Sequence, residues 1–349
     1  MHDPMRFQSD WEVVQLNIQK TCAVFAVILN TFLVFLILCK SPKDLGAYKY
    51  LMIFISIVEI LFSISEVLVC PVFHHTGFTF LIISRITRFA PFVQLALNGA
   101  YSGLFGSLMA LFGIHFIYRY LVIKKHWFLS TFQDWRLVVW FSIPVVFGTT
   151  WGLIAIFCCG PREVTNKLIE TDILEKLDLR IDEITYIGPY FYDELGGYYL
   201  PAVIGLSVDC VIIGTSFFAV TVFCYLCFKE LKKYSKKSWV SERNKVLQSQ
   251  LYYALVAQTL IPIILLQLPT FLLFVTVFCE LHIGEISGIV SITIAIYPAI
   301  DPFPTMFIVT SYRKAIIEYF EGSVKTIVTP FGLHIRHKQR SEHCDNSRI

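Results

Sequence analysis

The sequence predicts an all-α membrane protein: a seven-transmembrane helix bundle with its N-terminus extracellular and its C-terminus cytoplasmic. Three observations predict it. The chain has 349 residues, of which 56% are hydrophobic and 16% charged. Its mean hydropathy is +0.63, and soluble domains rarely run so apolar. The apolar residues form seven long blocks, and a helix crossing a hydrocarbon core about 30 Å thick needs roughly 20 of them. The lysines and arginines collect mainly on one side of those blocks.

The blocks cover residues 16–38, 50–69, 92–122, 137–158, 200–228, 254–278 and 286–310. Residues 1–15 form a polar extracellular segment. No small-residue cleavage site follows the first block, which is expected to remain as a signal anchor. The connections are too short to hold a soluble domain, and no internal repeat of the transporter kind is evident.

Orientation follows from the basic residues. One side holds Lys40, Lys43 and Lys49, then Arg119, Lys124, Lys125 and Arg136, then the fifth connection over 229–245 and the tail. That side reads as cytoplasmic, and an odd number of spans puts the termini on opposite faces. Trp11 and Trp135 sit at the edges of the first and fourth spans, as interfacial anchors do.

The long outer connection over 160–197 is acidic. Ile169, Ile173, Leu177, Ile181 and Ile184 recur in it at helical steps. It reads either as a lid over the outer mouth or as a solvated helix resting on the helix ends. In the tail, Tyr312, Ala315, Ile316, Tyr319 and Phe320 share one face, which predicts an interfacial amphipathic helix over 311–321. Residues 322–349 are polar and basic and read as a disordered cytoplasmic tail.

Most of the ten cysteines lie in or beside spans and read as small hydrophobes, the Cys224–Cys227 pair included. Cys158, Cys159 and Cys279 allow one outer disulfide with unassigned partners. No metal, cofactor, nucleic-acid or catalytic motif is found, and the chain does not read as an enzyme.

Ionisable residues within a bilayer are costly and mark function. Glu59 and Asp301 lie at similar depth in spans two and seven. They read either as a facing pair sharing a proton or a cation, or as acids singly protonated and bonded locally. Glu66, Asn98, Asp209 and Gln267 come from four spans at outer depth. They read as the polar points of a small ligand cavity, or as ordinary bonds between helices. Span three carries Gly99, Gly103, Gly106, Ser107 and Gly113, which suits a central strut with close neighbours. Pro262 and Pro269 in span six, and Pro302 in span seven, are candidate hinges.

Several segments resemble the nematode serpentine chemoreceptors of the Str type. They are GAYKYLM (46–52), FLIISR (80–85), HFIYRY (115–120), LQSQLYYALVAQTLIP (247–262), YPAIDP (297–302) and SYRKAI (311–316). The resemblance implies a G-protein-coupled chemosensory receptor in the plasma membrane of sensory-neuron cilia. Its partners would be a small odorant or other environmental molecule and a heterotrimeric G protein. Ligand contact then falls to Glu66, Asn98, Asp209 and Gln267, and switching to Glu59, Pro262, Pro269, Asp301 and Pro302. Coupling falls to Arg119, Tyr120, Lys232, Lys233, Lys236, Lys237, Arg243 and Lys245, though the basic connection also suits topology and anionic lipid. Unlike rhodopsin-like receptors, the chain has Tyr118 rather than an acid before Arg119, and lacks both a cysteine at the start of span three and a tyrosine after Asp301-Pro302. The alternative reading is a ligand-gated channel or transporter on the same seven helices.

Overall fold

The computed structural model describes residues 4–42, 45–76, 79–85, 89–278, 286–319 and 321. Cys279, the side chain of Trp11 and the tail over 322–349 lie outside the described residues, with the expectations attached to them. Seven of the described helices are long and apolar enough to cross a membrane.

Helix α1 (Pro4–Lys40) starts well ahead of the predicted first span. Its polar approach is used in packing: Gln15 and Gln19 are buried, and Gln19 Nε2 donates to the Pro71 carbonyl at 2.9 Å. Helix α2 (Tyr48–Val69) stops at Cys70, whose left-handed backbone (φ 48°) turns the chain. Strands β1 (Val72–Thr76) and β2 (Thr79–Arg85) follow, then α3 (Pro91–Lys124), which opens on a proline. After α4 (Leu137–Phe157) come α5 (Glu163–Leu177) and β3 (Ile184–Ile187). Helix α6 (Leu200–Ser235) leads to α7 (Glu242–Pro262), capped by the Ser241 hydroxyl accepting from the Asn244 amide.

The sixth span does not run straight. Between α7 and α8 (Leu268–Phe278) lies a π-helical turn over Ile263–Gln267, framed by Pro262 and Pro269. Proline removes a ladder bond, and the extra residue of a π turn absorbs the mismatch. The seventh span is α9 (Ile286–Ile300), interrupted at Asp301 and resumed as α10 (Pro302–Ile308). A last helix covers 310–319. Tyr312 and Ala315, from its predicted apolar stripe, pack into the same cluster as Leu33, Leu36 and Ile37 of α1.

The sheet is a departure from the all-helical expectation. β1, β2 and β3 form an antiparallel sheet in that order, with Phe73 opposite Ile82 and Ile82 opposite Ile187. The helical pattern read through Ile184 holds only to Leu177. Asp178 adopts a left-handed backbone (φ 51°) and ends α5, and Ile184 instead begins β3. Ile169, Ile173 and Leu177 pack against Leu81 and Ile83, so α5 lies on the sheet.

Helix α3 is the strut. It packs against α2, α4, α6 and α7 and is buried along most of its length. Gly103 and Gly148 let α3 and α4 meet backbone to backbone: a Cβ on Gly103 would sit 2.6 Å from the Gly148 carbonyl oxygen.

Candidate functional site

Three polar sites are strung along the bundle. The first lies at the sheet end. A cavity of about 90 Å³ is roofed by Phe73, Phe80, Ile82 and Ile187 of the sheet. Tyr101, Ser102 and Phe105 of α3, Trp151 of α4 and Asp209 of α6 form its walls. It is mostly apolar, yet three of its buried polar atoms have no hydrogen-bond partner: Tyr101 Oη, Ser102 Oγ and Asp209 Oδ1.

Of the four polar residues gathered from the sequence, Asp209 lines this cavity and the others are placed elsewhere. Asn98 is buried on α3 and its Oδ1 accepts from Ser84 Oγ of β2 at 2.6 Å, tying sheet to bundle. Glu66 is fully buried beside Tyr101, and neither of its carboxyl oxygens has a hydrogen-bond donor. Gln267 ends the π turn, donates to Met109 Sδ at 2.7 Å and lines a separate, smaller cavity.

The roof is pinned from above. His74 Nε2 of β1 meets Asp172 Oδ2 of α5 at 2.7 Å, and Lys176 binds the other oxygen. The His74 bond, helped by Lys176, holds the Asp172 carboxyl down from 3.8 to about 2. A depressed carboxyl adds stability above its ordinary value and loses it as pH falls toward the folded value. Amide exchange in α5, corrected for intrinsic rate, is therefore expected to accelerate between about pH 4 and pH 2. Asp172→Asn should remove that pH dependence; a variant that keeps it assigns the transition to another group.

The second site lies where α2, α9 and α10 meet. Glu59 is half-way along α2, and Asp301 is in the break between α9 and α10. Both are 1% exposed, and their carboxyls face each other at hydrogen-bonding range. Tyr297 Oη donates to Glu59 Oε1 at 2.9 Å, and Gln258 Nε2 donates to Asp301 Oδ2 at 3.0 Å. Asn30 of α1 lies beside Glu59 and donates to the Pro298 carbonyl at 3.0 Å. The structure brings these two acids, matched by depth in the sequence, beside each other. Asn30, Gln258 and Tyr297 were missed as partners, although the last two fall inside the segments QTLIP and YPAIDP.

The third site is at the far end of α3. Arg119 is 1% exposed, not presented at the end face. Its Nη1 donates to Gln248 Oε1 of α7 at 3.0 Å, and its guanidinium lies 3.6 Å from the centre of the Tyr48 ring. The connection over Trp127–Phe132 folds across it: Tyr48 stacks on Tyr118, Tyr118 meets Phe132 edge-on, and Phe132 stacks on Trp140. A cavity of about 210 Å³ borders Arg119, Gln248 and Gln133. Tyr120 is half-buried against Phe223. Lys232, Lys233, Lys236 and Arg243 are exposed, and Lys237 and Lys245 half-exposed. Lys233 pairs with Glu230, Lys245 with Glu242, and Lys237 lies over the Trp239 ring.

The family sequence model for the serpentine-type 7TM GPCR chemoreceptor Str matches residues 15–317. The Caenorhabditis elegans G-protein coupled receptor str-217 is 30% identical over 311 residues, covering 87% of this chain and 89% of the relative. The Caenorhabditis briggsae serpentine receptor class r-10 is 31% identical over 303 residues, covering 84% and 86%. More distantly, the C. elegans serpentine receptor class J-38 is 22% identical over 328 residues, covering 92% and 97%.

Proposed function

The chain belongs to the Str family of serpentine seven-transmembrane GPCR chemoreceptors, and from that premise we propose that it is a chemosensory receptor of the plasma membrane. A small environmental molecule binds in the sheet-capped cavity, and a heterotrimeric G protein is engaged at the Arg119 end. The positive-inside rule puts the sheet end outside and the Arg119 end, with Lys232–Lys245, in the cytoplasm. A ciliated sensory neuron is the setting that the family's chemosensory role implies.

One observation carries this reading: a single helix serves both ends. Helix α3 walls the cavity at Ser102 and buries Arg119 some 17 residues later, roughly 25 Å along the axis at 1.5 Å per residue. Small shifts at one end reach the other through a packed rod. The Glu59–Asp301 contact and the proline-framed π turn lie beside that rod as the two-state elements. Two facing carboxyls do not both ionise, and a proton held between them supplies the donor that Asp301 Oδ1 lacks. A ligand biases this bundle only through different affinities for its two arrangements. Arg119 becomes available to a G protein when the covering connection and Gln248 move away.

The test is ligand-evoked G-protein activation by Arg119→Ala and Arg119→Lys, both checked for surface expression. Arg119→Ala is expected to abolish the response. Arg119→Lys, which keeps the charge but not the planar fork, should retain a small part of it. An unchanged response in Arg119→Ala would remove Arg119 from coupling. Ion conduction by purified protein in liposomes, with no G protein present, would replace the receptor reading altogether.

A further inference from the structure

The lining of the sheet-capped cavity carries a chemical preference. Among its described lining residues Asp209 is the one carboxylic acid, and it is 6% exposed. No lysine, arginine or histidine among the described residues lines the cavity beside it. The nearby cation, Arg162, is engaged elsewhere: it donates to the Tyr190 carbonyl at 2.7 Å and lies 3.7 Å from the centre of the Tyr199 ring. Around Asp209 stand the thiols of Cys159, which lines the cavity, and of Cys158 and Cys210, none of which offers a positive charge.

The rest of the wall is aromatic. Phe73, Phe80, Tyr101, Phe105 and Trp151 all face the space. Ring faces attract cations, tryptophan most strongly, and more so where water is excluded. A carboxyl with an unpartnered oxygen, set among ring faces, is complementary to a cation with N–H donors. Tyr101 Oη and Ser102 Oγ, also unpartnered, can accept further N–H bonds.

Size sets the rest. The cavity measures about 90 Å³, whereas an apolar protein cavity of about 150 Å³ takes benzene. The occupant therefore has about four non-hydrogen atoms.

We propose that this cavity binds a small protonated aliphatic amine, its ammonium group on Asp209 and its short alkyl body against the rings. The proposal rests on the receptor reading above for what binding triggers, but not for binding itself. A neutral alcohol or ketone of the same size would use Tyr101 and Ser102 and leave Asp209 without a counter-charge.

Full-length purified protein in detergent at neutral pH is titrated with n-propylamine, propan-1-ol and acetone while its thermal unfolding midpoint is followed. n-Propylamine is expected to raise the midpoint saturably, and the two neutral molecules to leave it unmoved at the same concentrations. Asp209→Asn should weaken the amine effect by about tenfold to a hundredfold, the range for a lost hydrogen bond to a charged group. Glu194→Gln, an exposed acid of the same connection as α5, should change nothing. Equal shifts from propan-1-ol or acetone, no shift from n-propylamine, or undiminished amine binding by Asp209→Asn would each overturn the proposal. Should that variant not fold, the comparison of amine with neutral molecules on the native chain decides alone. A parallel G-protein reporter in cells separates the two readings. Amine binding without signalling sinks the receptor reading and leaves the ligand class. Signalling to acetone alone keeps the receptor and sinks the amine.

Discussion

Asp301→Ala is expected to cost about 1–3 kcal/mol of folding stability, the range for leaving a buried hydrogen-bonding group without its partner. Glu59 would keep its Tyr297 bond but lose the carboxyl facing it, and Gln258 Nε2 would lose the Asp301 acceptor at 3.0 Å. No water from bulk reaches either group, since both acids are 1% exposed. Little mature receptor should reach the cell surface. Asp301→Asn is the informative contrast. Its amide keeps the shape, offers an oxygen to Gln258 and donates to Glu59, so stability should stay within about 1 kcal/mol of the native chain. Signalling should not stay the same, because the proton we propose the carboxyls share has been replaced by a permanent donor. Basal and evoked G-protein activation of Asp301→Asn, Glu59→Gln and the double variant form a cycle. Residues in direct contact give coupling energies of about 0.5–3 kcal/mol. Additive effects on both unfolding and signalling would reduce the pair to two separate packing residues.

That cluster also shows how far the residue pattern reaches. Glu59 and Asp301 stand out because charge inside an apolar block is rare, and depth counted along two helices is enough to match them. Asn30 and Gln258 do not stand out. A single amide in a span is common, and its partner depends on which faces of α1, α2, α7 and α9 turn inward, which no local spacing records. The seven helices and the strut role of α3 were legible because apolar length and small residues speak locally. The sheet was not. β2 pairs with β3 across about a hundred residues, through Ile82 and Ile187, and short apolar strands of five and seven residues look like loop ends. The segment FLIISR was recognised by resemblance, yet its meaning is structural: it is the middle strand of the cavity roof. Arg119 misled in the other direction. Its place near a helix end predicts exposure, but Tyr48 and Gln248 reach it from other elements and bury it.

Gly103→Leu should lower stability by more than about 3 kcal/mol, beyond the usual 1–3 kcal/mol of an overpacked core. The reason lies in what the new atoms meet. At Gly103 the first added carbon would lie 2.6 Å from the Gly148 carbonyl oxygen, which is backbone and has no rotamer to yield. Helices α3 and α4 must separate. Separation stretches the bond from Ser107 Oγ to the Pro144 carbonyl at 2.9 Å and moves Trp151 away from Phe105, now 5.3 Å ring to ring. Both rings wall the sheet-capped cavity, so the damage reaches the candidate site as well as the fold. Gly103→Ala adds one carbon and should cost less, with the helices parting by a few tenths of an ångström. Gly214→Leu is the matched control, because nothing lies within 4 Å of a Cβ there. On that open face of α6 the change should be neutral or gain up to about 1 kcal/mol from helix propensity. Thermal unfolding and surface expression of the three variants separate a specific close approach from a general intolerance of bulk. If Gly103→Leu unfolds at the same temperature as Gly214→Leu, α3 and α4 do not meet at these glycines. The cavity wall would then have to be assembled another way.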